Sequence, residues 1–206
     1  MDYHHGNGTQ DIFYSRADVF YVSLHGDPSR AYPYFSGSTS ETGEGDGIGY
    51  TLNIPLPAAC SDATYTAALQ QALLRVAHFA PHFVVVSLGI DTFMGDPLGD
   101  FCITRAGYSS IGEIIGALKV PTMYLPNTLF STRYRQSRVT RCASHATRHT
   151  SLDPLFHVCR CDPHQRSIRG AHAAPRRYVM EGGYVVAELG NNVAAVLLGH
   201  ESAAGV

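Results

Sequence analysis

Hydrophobic positions along the chain follow two periods, each predicting a different kind of element. Val19-Phe20-Tyr21-Val22-Ser23-Leu24 and Phe83-Val84-Val85-Val86-Ser87-Leu88 are nearly continuous apolar runs, rich in β-branched and aromatic residues. Runs of that kind predict strands covered on both faces, as in a parallel sheet held between helices. Between them, Leu69, Leu73, Val76 and Phe79 recur every three or four residues, predicting an amphipathic helix over 62–79 with Asp62 as N-cap and Pro81 as its stop. Thr104 caps a second predicted helix running to about Leu118, whose inner stripe is Ile111, Ile114, Ile115 and Leu118. Val120-Pro121-Thr122 leads into a further strand. Near the end, residues 178–181 predict a strand, Gly182-Gly183 a turn, and residues 185–200 a helix with Val186, Leu189, Val193, Val196 and Leu197 facing inward. A short helix or turn is expected over residues 11–16. Strands alternating with helices give an α/β domain with a mainly parallel sheet.

Composition narrows this picture. With 206 residues and 45% hydrophobic content, the chain is long enough for one domain with a proper core. No apolar run approaches the length of a membrane span, and no basic-then-apolar leader opens the chain. Five cysteines, an odd number without a secretion signal, argue against a disulfide framework. The expectation is a cytoplasmic or nuclear protein, not a secreted one, with no membrane partner.

The formal charge of -2 hides a division. Residues 131–177 hold ten arginines against Asp153 and Asp162, and contain neither lysine nor glutamate. Three units follow: 1–130, the arginine-rich 131–177, and 178–206 rejoining the first. Cys142, His145, His149, His157, Cys159, Cys161 and His164 raise the idea of a zinc knuckle. The Cys159-x-Cys161 spacing is tighter than structural zinc uses, however. The arginines suggest nucleic acid, but the stretch has few large aliphatic residues and no amphipathic period, so little apolar burial offsets its ordering entropy. A disordered insertion is therefore expected. A retained intron or gene-model error explains its composition most economically, with a genuine insertion as the alternative.

The candidate chemistry sits at the start, in Asp2-Tyr3-His4-His5-Gly6-Asn7-Gly8-Thr9-Gln10. On an extended segment, positions two apart face the same way, so Asp2 and His4 can converge. Asp91 follows the most apolar strand, at the end where open α/β sheets place ligands. Two carboxylates and one imidazole suit zinc or another divalent ion, with positions left open for water and substrate. Such an ion acts as a Lewis acid and lowers the pKa of its water. The glycines of Ser36-Gly37-Ser38-Thr39-Ser40-Glu41-Thr42-Gly43-Glu44-Gly45-Asp46-Gly47-Ile48-Gly49 do not make a phosphate loop, since lysine and a helix start are missing. Glu41 and Glu44 read as a solvated rim or as an attraction for a cationic substrate arm. His25 reads as a loop histidine making one hydrogen bond.

Asp-Tyr-His-His-Gly-Asn-Gly-Thr-Gln, Val-Ser-Leu-His-Gly-Asp-Pro, Gly-Ile-Asp-Thr-Phe-Met-Gly-Asp-Pro-Leu and Met-Glu-Gly-Gly-Tyr follow one another along the chain. In this order they resemble the histone deacetylase superfamily, most closely its acetylpolyamine amidohydrolase branch, with class II deacetylases next. The resemblance implies an arginase/deacetylase-like three-layer α/β/α fold, incomplete here. It also implies a zinc ion on Asp2, His4 and Asp91, and an oxyanion-stabilising tyrosine at Tyr184. Asn7 matches a residue that orients a catalytic histidine, and Asp96 a carboxylate that shapes its loop through backbone hydrogen bonds. Ser23 and Leu24, with Asp2 and His4, match positions that hold a structural potassium ion. The implied substrate is an acetylated polyamine or acetyl-lysine, and a homodimer is an open expectation. The family's tandem catalytic histidines, which precede the first motif, and the aspartate two residues before the position of Asp2 have no counterpart here. Impaired hydrolysis is the resulting expectation. The alternative is an inactive metal-binding fragment or binding protein; arginase-like chemistry is weaker, because that family uses paired aspartate-rich motifs for two manganese ions.

Overall fold

The computed structural model describes residues 1–127, 156–159 and 186–205. Its elements are α1 (Asn7–Phe13), β1 (Val19–Gly26), a 3-10 turn (Gly45–Gly47), β2 (Thr51–Leu56), α2 (Asp62–Phe79), β3 (Phe83–Gly89), α3 (Arg105–Gly116), β4 (Thr122–Asn127), β5 (Phe156–Cys159) and α4 (Val186–Ala204). The strands form one sheet in the order β2-β1-β5-β3-β4. β1 pairs in parallel with β2, and β3 with β4, while β5 runs antiparallel to both β1 and β3. The α/β class with a mainly parallel sheet, predicted from the two periods, is the one observed.

Every residue of β1 is buried, which is why apolar side chains fall on both of its faces over residues 19–22. β2 has no such run and was not predicted. Among the described residues it is an edge strand, where Pro55 is tolerated because one side needs no ladder partner. α2 buries Leu69, Leu73, Val76 and Phe79 as its spacing predicts, each contributing roughly 1.5–3 kcal/mol of transfer free energy.

Its start differs from expectation. Ser61, not Asp62, is the N-cap, accepting from the Thr64 amide. The Asp62 carboxylate instead accepts from the Thr104 amide at 2.8 Å and the Thr104 hydroxyl at 2.6 Å, tying the starts of α2 and α3 together. Thr104 caps α3 as predicted, through the Gly107 amide. Ile111 and Ile115 are fully buried, whereas Ile114 and Leu118 lie at the edge of the core. α4 packs on α3 through buried Val196 and extends to Ala204, beyond the predicted end. α1 starts at Asn7, earlier than the turn expected over 11–16.

The strand predicted over 178–181 and its turn, with Tyr184, lie outside the described residues. So does the arginine-rich stretch, apart from the backbone of β5, which stands between β1 and β3. Among the described residues, no helix is long and apolar enough to cross a membrane.

Candidate metal centre

The opening residues are fixed by the two strands they pass between. The Met1 amino group donates to the Ser87 carbonyl at 2.8 Å, and the Gly89 amide donates back to the Met1 carbonyl at 2.6 Å. On the other side, the Gly26 amide donates to the Tyr3 carbonyl at 2.8 Å. Residues 1–3 thus bridge the C-terminal ends of β1 and β3, which sets Asp2 beside Asp91. Asp91 Oδ1 accepts from the Tyr3 amide at 2.9 Å, and its Oδ2 lies 2.9 Å from His4 Nδ1. Asp2 Oδ1 accepts from the His4 amide at 2.7 Å and lies 3.4 Å from His4 Nδ1. One ligand atom each from Asp2, His4 and Asp91 lies within 4.8 Å of the others.

The carboxylates are nearly inaccessible, while the His4 side chain is 23% exposed. Glycine at 89 is a steric requirement, since a Cβ there would stand 2.0 Å from Asp2 Oδ2 and 2.8 Å from Asp91 Oδ1.

The electrostatics describe a site short of positive charge. Burial, then the neighbouring Asp2 charge, pushes the Asp91 carboxyl up to about 6 despite His4. Burial alone would lower His4, but hydrogen bonds and charge from Asp2 and Asp91 outweigh it and raise the imidazole to about 10. A protonated His4 imidazole then lies between the two carboxylates, its Nδ1 2.9 Å from Asp91 Oδ2 and 3.4 Å from Asp2 Oδ1. Two anionic oxygens and one ring nitrogen, held from separate backbone segments, fit a divalent ion of the zinc type. Binding it requires that proton to leave.

The remaining predicted residues fall as follows. Asp96 Oδ1 accepts from the Leu98 and Gly99 amides at 2.9 and 3.3 Å and stands outside the cluster. Asn7 opens α1. Ser23 and Leu24 are buried in β1, the Ser23 hydroxyl bonding to His25. His25 is not a loop residue: it is a fully buried member of β1 with two partners, Ser23 Oγ and the Gly37 carbonyl, each at 2.9 Å. Burial, then the neighbouring His5, lowers its pKa to about 4, and burial also lowers His5. Tyr32, 59% exposed, sets its ring 6.2 Å from that of His4.

Beside the candidate metal cluster lies a polar network that the sequence does not announce, made by His5, Gln10, His25, Asn53 and Glu41. The only local signal was polar residues at alternating strand positions, Ser23 and His25 on β1 and Asn53 between Leu52 and Ile54 on β2.

The family model described as the histone deacetylase domain matches residues 1–150. The chain belongs to the histone deacetylase family. Acetylpolyamine amidohydrolase 2 of Pseudomonas aeruginosa is 49% identical over 125 residues, which cover 61% of this chain and 36% of that protein. Histone deacetylase 15 of Arabidopsis thaliana is 40% identical over 119 residues, 57% of this chain and 22% of that protein. The crystal structure of an acetylpolyamine aminohydrolase from Burkholderia pseudomallei superposes with a TM-score of 0.69 at 31% identity, covering 98% of this chain and 43% of that one. This deacetylase-family chain stands near the acetylpolyamine amidohydrolases, and it spans 36% or less of the length of the two relatives matched by sequence.

Proposed function

We propose that this chain carries the metal-binding part of a hydrolase that removes acetyl groups from acetylated polyamines or acetyl-lysine, with hydrolysis impaired in the chain as it stands. The observation that carries the reading is the convergence of Asp2, His4 and Asp91 within 4.8 Å at the ends of two strands. When bound there, a zinc ion would acidify a water and polarise an acetyl carbonyl. The chain's own residues do the rest. Asp2 and Asp91 supply the negative charge that draws the ion in, and the exposed edge of His4 leaves the substrate side open. Tyr184 would donate its hydroxyl proton to the oxygen on which charge develops, where a preorganised donor is worth most. Asn7 is proposed to steady a catalytic imidazole, and the backbone carbonyls of Ser23 and Leu24, with Asp2 and His4, to serve a structural potassium ion.

Hydrolysis also needs a base to take a proton from water and an acid to return one to the amine. The sequence has one pair of adjacent histidines, His4-His5. His4 belongs to the metal cluster, and His5 is buried against Gln10. That observation supports the impairment. It also favours a second reading, a metal-binding fragment or binding protein without turnover.

Native mass spectrometry of the purified chain with zinc, alongside assays on acetylputrescine and an acetyl-lysine peptide, separates these outcomes. One ion per chain, lost in Asp91→Asn, with weak hydrolysis supports the main reading. One ion with no hydrolysis supports the second. Failure to bind any ion removes both, and turnover at an ordinary enzymatic rate, abolished in Asp91→Asn, removes the impairment.

A further inference from the structure

The glycine-rich segment after β1 is fastened to the metal-bearing segment by one carboxylate. Glu41 Oε1 accepts from the Ser38 amide at 2.8 Å and the Gly37 amide at 2.9 Å. Its Oε2 accepts from the Gly37 amide at 3.1 Å, from Ser36 Oγ at 3.2 Å, and from Gln10 Nε2 in a short hydrogen bond. Burial alone would raise this carboxyl, yet these donors hold it below the usual glutamate range. With its oxygens engaged in this way, Glu41 is an anchor and not a free acid on the rim.

The hydrogen-bond directions propagate from that anchor. A carboxylate only accepts, so Gln10 must turn its amide nitrogen toward Glu41 and its Oε1 the other way. Gln10 Oε1 then accepts from Asn53 Nδ2 at 2.6 Å and from His5 Nε2 at 3.1 Å. His5 is thereby fixed as the Nε2–H tautomer, assigned from the network, and its Nδ1 is left buried without a partner. On the loop side, His25 Nε2–H donates to the Gly37 carbonyl while its Nδ1 accepts from Ser23 Oγ. Gly37, at φ +106°, lies so close to the two imidazoles that an added Cβ would fall 2.5 Å from His25 Nε2 and 2.8 Å from His5 Cγ. Loop, imidazole pair and metal segment are therefore packed as one unit with a single sense of hydrogen bonding.

We propose that Glu41 is a positioning residue that acts through Gln10 on His5. It selects the His5 tautomer and so holds the backbone that presents the adjacent His4 to the metal. The clasp stands on the network alone; its effect on ion affinity rests on the reading of Asp2, His4 and Asp91 as a metal centre.

Glu41→Gln tests it because an amide offers protons where the carboxylate only accepts. Gln10 would then turn over, and His5 would move its proton to Nδ1. Two-bond proton–nitrogen NMR of the histidine rings in the metal-free chain should show Nε2–H for His5 in the parent and Nδ1–H in Glu41→Gln. Zinc affinity should fall about ten- to a hundredfold, as for other groups that orient metal ligands. Gln10→Leu leaves the loop donors to Glu41 in place but cuts the relay. It should release the His5 tautomer with amide exchange of residues 36–38 unchanged, which keeps the test available if Glu41→Gln does not fold. A His5 ring that stays Nε2–H in Gln10→Leu overturns the proposal, as does unchanged zinc affinity in a folded Glu41→Gln. A tautomer change in a chain whose parent binds no zinc upholds the clasp and removes only the metal reading.

Discussion

His25 shows how a residue's surroundings set its protonation and thereby the molecule's response to acid. Its ring is enclosed, and both nitrogens are engaged in the neutral form, with burial first and His5 second pushing its pKa down to about 4. An unfolded histidine titrates near 6.5. Because the folded value is depressed, the stability this ring contributes is present above about 6.5 and is lost as pH falls through about 4. Melting temperature measured from pH 7.5 to pH 4 should therefore fall more steeply in the parent than in His25→Gln, whose side chain does not titrate; equal slopes would refute this. At this scale Asp2, His4 and Asp91 were legible because local spacing and a strand end announce them. The Glu41 clasp was not, since its bond to Gln10 joins positions 31 apart and nothing near either residue marks the other.

Elements were legible where one physical signal dominated. β1 and β3 announced themselves by continuous burial, and α2 and α3 by the period of their inner faces. Two departures have identifiable causes. β2 carries an edge proline and only half-buried alternation, so its existence depends on a neighbour the sequence does not specify. At the start of α2, Ser61 and Asp62 are both acceptable caps by residue type, and only the approach of Thr104 decides between them. That division of labour separates two substitutions. Ser61→Ala removes a cap exposed to water and should cost about 1 kcal/mol. Asp62→Ala strands the Thr104 amide and hydroxyl at a helix junction and should cost more, about 1–3 kcal/mol. Urea denaturation of the two variants measures both, and a larger loss in Ser61→Ala would reverse the assignment.

Across the whole molecule, the cluster of Asp2, His4 and Asp91 depends on residues 1–3 and β3 being drawn together, 86 to 88 positions apart, by backbone hydrogen bonds on both sides of the opening segment. The α/β architecture was legible from the alternation of periods, because a parallel sheet requires helices between its strands. The role of residues 131–177 was not legible in the same way. Their composition predicts a disordered insertion; the backbone of residues 156–159 stands within the sheet, paired with β1 and β3, and the rest of the stretch lies outside the described residues. Composition measures how much apolar surface a stretch can bury, not whether a neighbouring pair of strands leaves it a place. The cysteines and histidines of that stretch are a rival set of zinc donors by sequence, so the donors around a bound ion decide between the two. Zinc K-edge X-ray absorption of the loaded chain measures them directly. Oxygen and nitrogen donors at about 2.0–2.2 Å are expected, with a single imidazole and no sulfur, and this shell should be lost in Asp91→Asn. A sulfur shell at about 2.3 Å, unchanged in Asp91→Asn, would contradict it.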